Sequence, residues 1–175
     1  VARVLSPRGT ENGPALLTPS YEDEFIATAF ENGEEGLLFE MEGIYYSTTA
    51  NAAGYKLPQP NATQFVDMAD RGDDKEVYRY LYIHKNHRDE DDYRPFVNLC
   101  KAFGLSGTAL QAQTSQLLDM DQWLRAYAVI TLCGVNDTYT FWLQHNLMIY
   151  FRPADHKAVY LMWDDDFTFT RSATS

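Results

Sequence analysis

The sequence predicts an α+β domain, and three observations support that expectation. Two stretches space apolar residues three and four apart, as buried helix faces do. Two apolar runs near the C-terminus are joined by a polar turn, and short hairpin punctuation recurs toward the N-terminus. With 175 residues, 45% of them apolar, the chain suffices for one domain with a real core and is short for two.

Val1 to Leu5 reads as an apolar strand. Turns at Pro7-Arg8-Gly9 and Asn12-Gly13-Pro14 lead to a second short strand at Ala15–Leu17. Ser20 is placed to cap a helix over Tyr21–Phe30, with Asp23 three residues later in place of the usual Glu. Gly36–Met41 and Ile44–Tyr46 read as strands around a Glu42-Gly43 turn. Residues 47–72 shift to Ala, Asn, Pro, Gln and Thr and are expected to form an exposed excursion, the first place to look for disorder. Glu76–His84, with alternating Tyr78, Tyr80 and Tyr82, reads as strand-like.

An amphipathic helix is expected over Asp89–Phe103, with its acids at the positive end of the dipole and Gly104 after it. A weaker helix spans about 108–118. Asp119 then caps a helix in which Gln122 completes a capping box. Trp123, Leu124, Tyr127, Ala128, Ile130 and Thr131 form its expected inner face, and Gly134 ends it. Leu147–Phe151 and Ala158–Trp163 form a hairpin across Pro153–Lys157.

A net charge of −11 disfavours nonspecific nucleic-acid binding, which needs Lys and Arg to displace counterions. It would also repel a nucleotide's phosphates unless a divalent metal bridges them. No run reaches the ~18 apolar residues of a membrane span, and no basic-then-apolar leader is present. Val1 opens the chain in place of Met, which fits a processed chain or a piece of a longer one, so localisation is not legible at this end. Cys100 and Cys133 lack metal-binding spacing and are expected as buried thiols rather than a disulfide. Asn61-Ala62-Thr63 and Asn136-Asp137-Thr138 match the glycosylation triplet, a pattern short enough to arise by chance.

Chemistry concentrates near the C-terminus. Asn136-Asp137 follows a helix end, His145-Asn146 opens an apolar strand, and Asp164-Asp165-Asp166 follows the next one. Phosphoryl transfer needs a carboxylate to orient or deprotonate the acceptor hydroxyl, and oxygen ligands to hold Mg²⁺ against the phosphates. Asp137 fits the first role, and Asn146 with Asp164 or Asp166 fits the second. In extended backbone, Asp164 and Asp166 share a side. Each residue also has a plain alternative: Asp137 bonding turn amides, Asn146 as a turn residue, and the three Asp as a solvated acidic turn. His145 is read as structural. A metal-dependent hydrolase using Asp164 and Asp166 would need further ligands that His145 alone does not supply.

Several segments resemble the spore-coat protein H (CotH) kinase-like family from about Val1 to Phe169. They are Asn12–Leu17 with Asp23–Ile26, Gly36–Phe39, Met120–Val129, Asn136-Asp137, His145–Tyr150 and Trp163–Phe169. The last three, in this order and spacing, are the most specific. The resemblance implies a protein-kinase-like fold, here a mainly helical C-lobe with short β-hairpins and an N-lobe largely missing. Residues 1–18 would end the N-lobe and hinge, and residues 19–175 would form the C-lobe. It implies transfer of the ATP γ-phosphate to a Ser or Thr hydroxyl of a protein substrate, with Mg²⁺ or Mn²⁺. Asp137 would be the catalytic acid of the loop. Asn146 and Asp164 would hold the metal nucleotide, with Asp166 as a further metal ligand. It also implies a secreted or cell-surface setting, where the alternative is a non-catalytic binding or adhesion protein of the same fold.

The chain departs from kinase patterns in three places. Asn146 lies nine residues after Asp137, against about five in conventional kinases. No Lys precedes Lys56 to contact the nucleotide. Pro19 stands where family members often carry Glu, near the hinge, and has no N–H to donate. Weak activity of this stretch alone is the expectation.

Overall fold

The computed structural model describes residues 2–3, 14–15, 21, 23–41, 44–45, 63–64, 67–79, 82–135, 138–140 and 146–164. The architecture is α+β. In chain order the elements are β1 (Ala2–Arg3), β2 (Pro14–Ala15), α1 (Asp23–Ala29), β3 (Leu37–Met41), β4 (Ile44–Tyr45) and β5 (Thr63–Gln64). There follow α2 (Lys75–Arg79), β6 (Tyr82–His84), α3 (Arg94–Phe103), α4 (Gly107–Leu117), α5 (Met120–Cys133), β7 (Leu147–Phe151) and β8 (Ala158–Met162). The central sheet is antiparallel, in the order β6-β3-β7-β8.

Every residue of β7 is buried because the sheet is covered on both faces. Successive side chains alternate sides. Leu147, Ile149 and Phe151 enter a large core with Phe39, Phe96, Trp123, Ile130 and Tyr160. Met148 and Tyr150 enter a smaller one with Ile26, Leu38, Val159 and Leu161, flanked by Tyr21, Phe25 and Phe30. This is why β7 and β8 read as continuous apolar runs instead of alternating ones. On the smaller side, the Tyr150 hydroxyl donates to the Gly33 carbonyl at 2.7 Å. A Cβ on Gly36 would lie 2.3 Å from that hydroxyl and 2.4 Å from the ring, so only hydrogen fits there.

The N-terminal hairpin forms as expected between β1 and β2. The helix after it is shorter than the spacing implied, and its proposed Ser20 cap lies outside the described residues. β4 follows β3 and pairs with β5; Glu42-Gly43, expected as a turn between two strands, lies outside the described residues. The 47–72 expectation fails at its distal end. Met68 is buried, the Tyr82 hydroxyl donates to the Asp67 carbonyl at 2.5 Å, and the Tyr78 hydroxyl donates to the Gly72 carbonyl at 3.0 Å. Residues 46–62 lie outside the described set.

The 76–84 strand expectation is half wrong. Residues 75–79 are helical and only 82–84 join the sheet, so Tyr78 and Tyr82 reach the core from different elements. The acids at 89–92 also precede α3 instead of opening it; its first turn carries no acid and takes Pro95, whose missing N–H is no loss there. Asp91 instead sits in the left-handed region (φ 52°) and pairs with Lys75 at 2.5 Å and with Arg79. Those two cations hold its carboxyl well below the usual range. Cys100 is buried and Cys133 only partly so; both are free thiols.

Candidate functional site

The site is built on α5 and the hairpin it braces. Asp119 caps α5, its side chain accepting from the Gln122 N–H at 3.2 Å. The reciprocal half of the capping box does not form, because Gln122 turns its side chain to the sheet. Its amide donates to the Tyr160 carbonyl at 2.6 Å and accepts from the Tyr160 N–H at 2.9 Å. The carbonyl of Ala158, two residues earlier, accepts from the Trp123 indole at 2.8 Å and the Asp119 N–H at 3.1 Å.

β8 is an edge strand whose outward groups at 158 and 160 would otherwise be unpaired. The start of α5 thus substitutes for a fifth strand. Docked this way, α5 buries Trp123 and Ile130 with Ala126 and Tyr127 packed beside them, while Leu124, Ala128 and Thr131 of the expected inner face are exposed.

Gly134 ends α5 with φ 66°, a conformation that costs glycine little. Asn136 and Asp137 lie outside the described residues. The described chain resumes at Thr138, which is 3% exposed, with its hydroxyl 3.3 Å from the Tyr160 hydroxyl. The Tyr139 hydroxyl accepts from the Met68 N–H at 3.4 Å. Residues 138 and 139 are therefore tied to β8 on one side and to the 67–72 segment on the other.

Asn146 is buried (4% exposed) and Asp164 exposed, and both have left-handed backbone, with φ 54° and 56°. Asn and Asp are the non-glycine residues that enter this region most readily. Leu147 pairs with Met162 at the end of the β7–β8 ladder; Asn146 comes directly before that pair in the chain and Asp164 two residues after it. An amide and a carboxylate are thus brought to one end of the β7–β8 hairpin. The left-handed turn at Asp164 overturns the expectation of extended backbone there, so the same-side pairing with Asp166 does not follow. His145, Asp165 and Asp166 lie outside the described residues. Among the described residues, no group of three His, Cys, Asp or Glu is disposed to hold a metal.

The order of these features along the chain matches a known family. The model for CotH kinase protein aligns with residues 12–174. The chain belongs to the CotH kinase family. No curated protein matches it. CotH membership brings a kinase-like fold and suggests ATP with a divalent metal as cofactors. The described donors fit such a metal: an amide and a carboxylate are the hard oxygen ligands that Mg²⁺ and Mn²⁺ take.

Thr138, Tyr160 and the sheet-directed role of Gln122 in this CotH chain escaped the sequence. Gln122 had a ready local explanation, three residues after Asp119. Thr138 and Tyr160 are 22 residues apart and share no periodicity.

Proposed function

We propose that this CotH-family chain carries the catalytic lobe of an atypical Ser/Thr protein kinase. Residues 1–18 close off the N-lobe and hinge, and residues 19–175 form the C-lobe. The observation that best supports this reading is the β7–β8 ladder, whose last pair, Leu147 with Met162, has Asn146 just before it and Asp164 two residues after it in the chain. The segment following Asp137 is tied to the same hairpin through Thr138.

In this reading Asp137 accepts a hydrogen bond from the acceptor hydroxyl and aims it. Asn146 and Asp164 hold Mg²⁺ or Mn²⁺, with Asp166 as a further ligand. The bound metal offsets the repulsion between the ATP phosphates and a chain of net charge −11. The chain's own part is positioning, which is most of what phosphoryl transfer asks of a protein. Burial and the fixed left-handed backbone hold Asn146 in one orientation, while exposed Asp164 is open to an incoming metal nucleotide.

A protein hydroxyl is the acceptor class, and a secreted or cell-surface setting goes with the family. Among the described residues no helix is long and apolar enough to cross a membrane. The test is calorimetric titration of Mg²⁺/ATP and Mn²⁺/ATP into the wild type and into Asp137→Ala, Asn146→Ala and Asp164→Ala variants. Binding should be lost in Asp164→Ala, weakened in Asn146→Ala and kept in Asp137→Ala, which should lose phosphotransfer alone. Binding indifferent to Asp164 would overturn the assignment. Absence of binding by the full-length protein would favour a binding or adhesion role for the fold.

A further inference from the structure

The CotH-family assignment leaves the anchoring of the segment after Asp137 unexplained. We infer that Thr138 and Tyr160 are a positioning pair that fixes the backbone following Asp137 to the strand leading to Asp164. The inference rests on the kinase reading for its functional consequence but not for its geometry.

The Thr138 and Tyr160 hydroxyls lie 3.3 Å apart, and the two residues are 3% and 1% exposed. A hydroxyl carried into such a place is costly unless it is bonded. Ring packing alone does not require it. Trp123 and Tyr127 meet the Tyr160 ring edge-on at 5.2 Å each, contacts that a phenylalanine would keep.

The anchor is stiff because its base is held separately. Gln122 grips both backbone groups of Tyr160, so this point on β8 is fixed to α5, the helix from which the Asp137 segment departs. Thr138 is one residue from Asp137, and Tyr160 lies in β8, which ends two residues before Asp164. One hydroxyl pair therefore ties the residue that follows Asp137 in the chain to the strand that precedes Asp164. Tyr139, tied to Met68, steadies the next position.

The experiment uses the full-length protein with Tyr160→Phe, Thr138→Val and Thr138→Ser. Hydrogen exchange over residues 138–140 should quicken in the first two variants and stay near wild type in Thr138→Ser, with β3 and β7 amides unchanged in all three. Tyr160→Phe and Thr138→Val should lower kcat for phosphotransfer about 10- to 100-fold, the range that misplacing a reacting group commonly produces. KM for ATP should move less than about twofold, because Asn146 and Asp164 are untouched, and Thr138→Ser should retain activity. Unchanged exchange over 138–140 overturns the inference whatever the activity, as does an unchanged kcat in an active enzyme. Local exchange changes in a protein with no transfer activity would sustain the anchor and instead remove the kinase reading.

Discussion

Replacing Gln122 with leucine removes two hydrogen bonds at little change in volume. The Tyr160 N–H and carbonyl then lose partners at 2.9 and 2.6 Å on the outer edge of β8. An unsatisfied buried polar group costs about 1–3 kcal/mol, so two such groups would cost about 2–6 kcal/mol if sealed. Gln122 is only half-buried, so water can reach part of the gap and the lower end applies, about 2 kcal/mol. For a domain of this length that corresponds to a fall in Tm of roughly 4–8 °C. Urea unfolding should show a lower midpoint with an unchanged m-value, since the surface exposed on unfolding is the same. A loss below about 0.5 kcal/mol, the value for an unremarkable surface site, would refute the edge-strand reasoning. Gln122→Glu adds a sign test. Its protonated carboxyl can donate to the Tyr160 carbonyl and its carboxylate cannot, so that variant should lose stability as pH rises through the carboxyl pKa.

Gly36→Ala should destabilise by about 1–3 kcal/mol in chemical denaturation, because the new methyl meets the fully buried Tyr150 ring; a neutral result would mean that the ring moves freely. Burial lowers the pKa of His84 in the folded chain, against the opposing charge of Asp91 and the backbone of Asp92. The unfolded state therefore takes up its proton first, and stability should fall as pH drops below about 6.5, with the slope reduced in His84→Phe. A pH-independent midpoint between 5 and 7 would contradict this. Burial pushes the Cys100 thiol up to about 12, so a thiol reagent near pH 8 should modify only the half-buried Cys133 in the native protein. Two fast-reacting thiols would contradict the packing around α3.

Local rules located the strong elements. The α5 cap at Asp119, its stop at Gly134 and the 147–162 hairpin follow from turn chemistry, capping and apolar runs, which act over a few residues, and the weaker helix expected at about 108–118 is found at Gly107–Leu117. The same rules misled where distant partners intervened. Asp89–Asp92 resembled a helix start, but Lys75 and Arg79 drew Asp91 into a turn. Gln122 resembled a capping residue, but the open edge of β8 offered its amide two bonds in place of one. Met68 lay in a polar stretch, yet tyrosine hydroxyls from α2 and β6 hold the backbone on either side of it.

The family was legible in the sequence because motif order is a property of the chain itself, and the same motifs named the candidate residues. The sequence also set the net charge of −11, which works against an anionic ligand. What only the tertiary structure decided was which of those residues share a place. The β7–β8 ladder ends at Leu147 and Met162, beside Asn146 and Asp164 in the chain, and Thr138 meets Tyr160 from 22 positions away. Register and long-range hydroxyl pairing depend on the simultaneous packing of both sheet faces, which no local window of sequence contains.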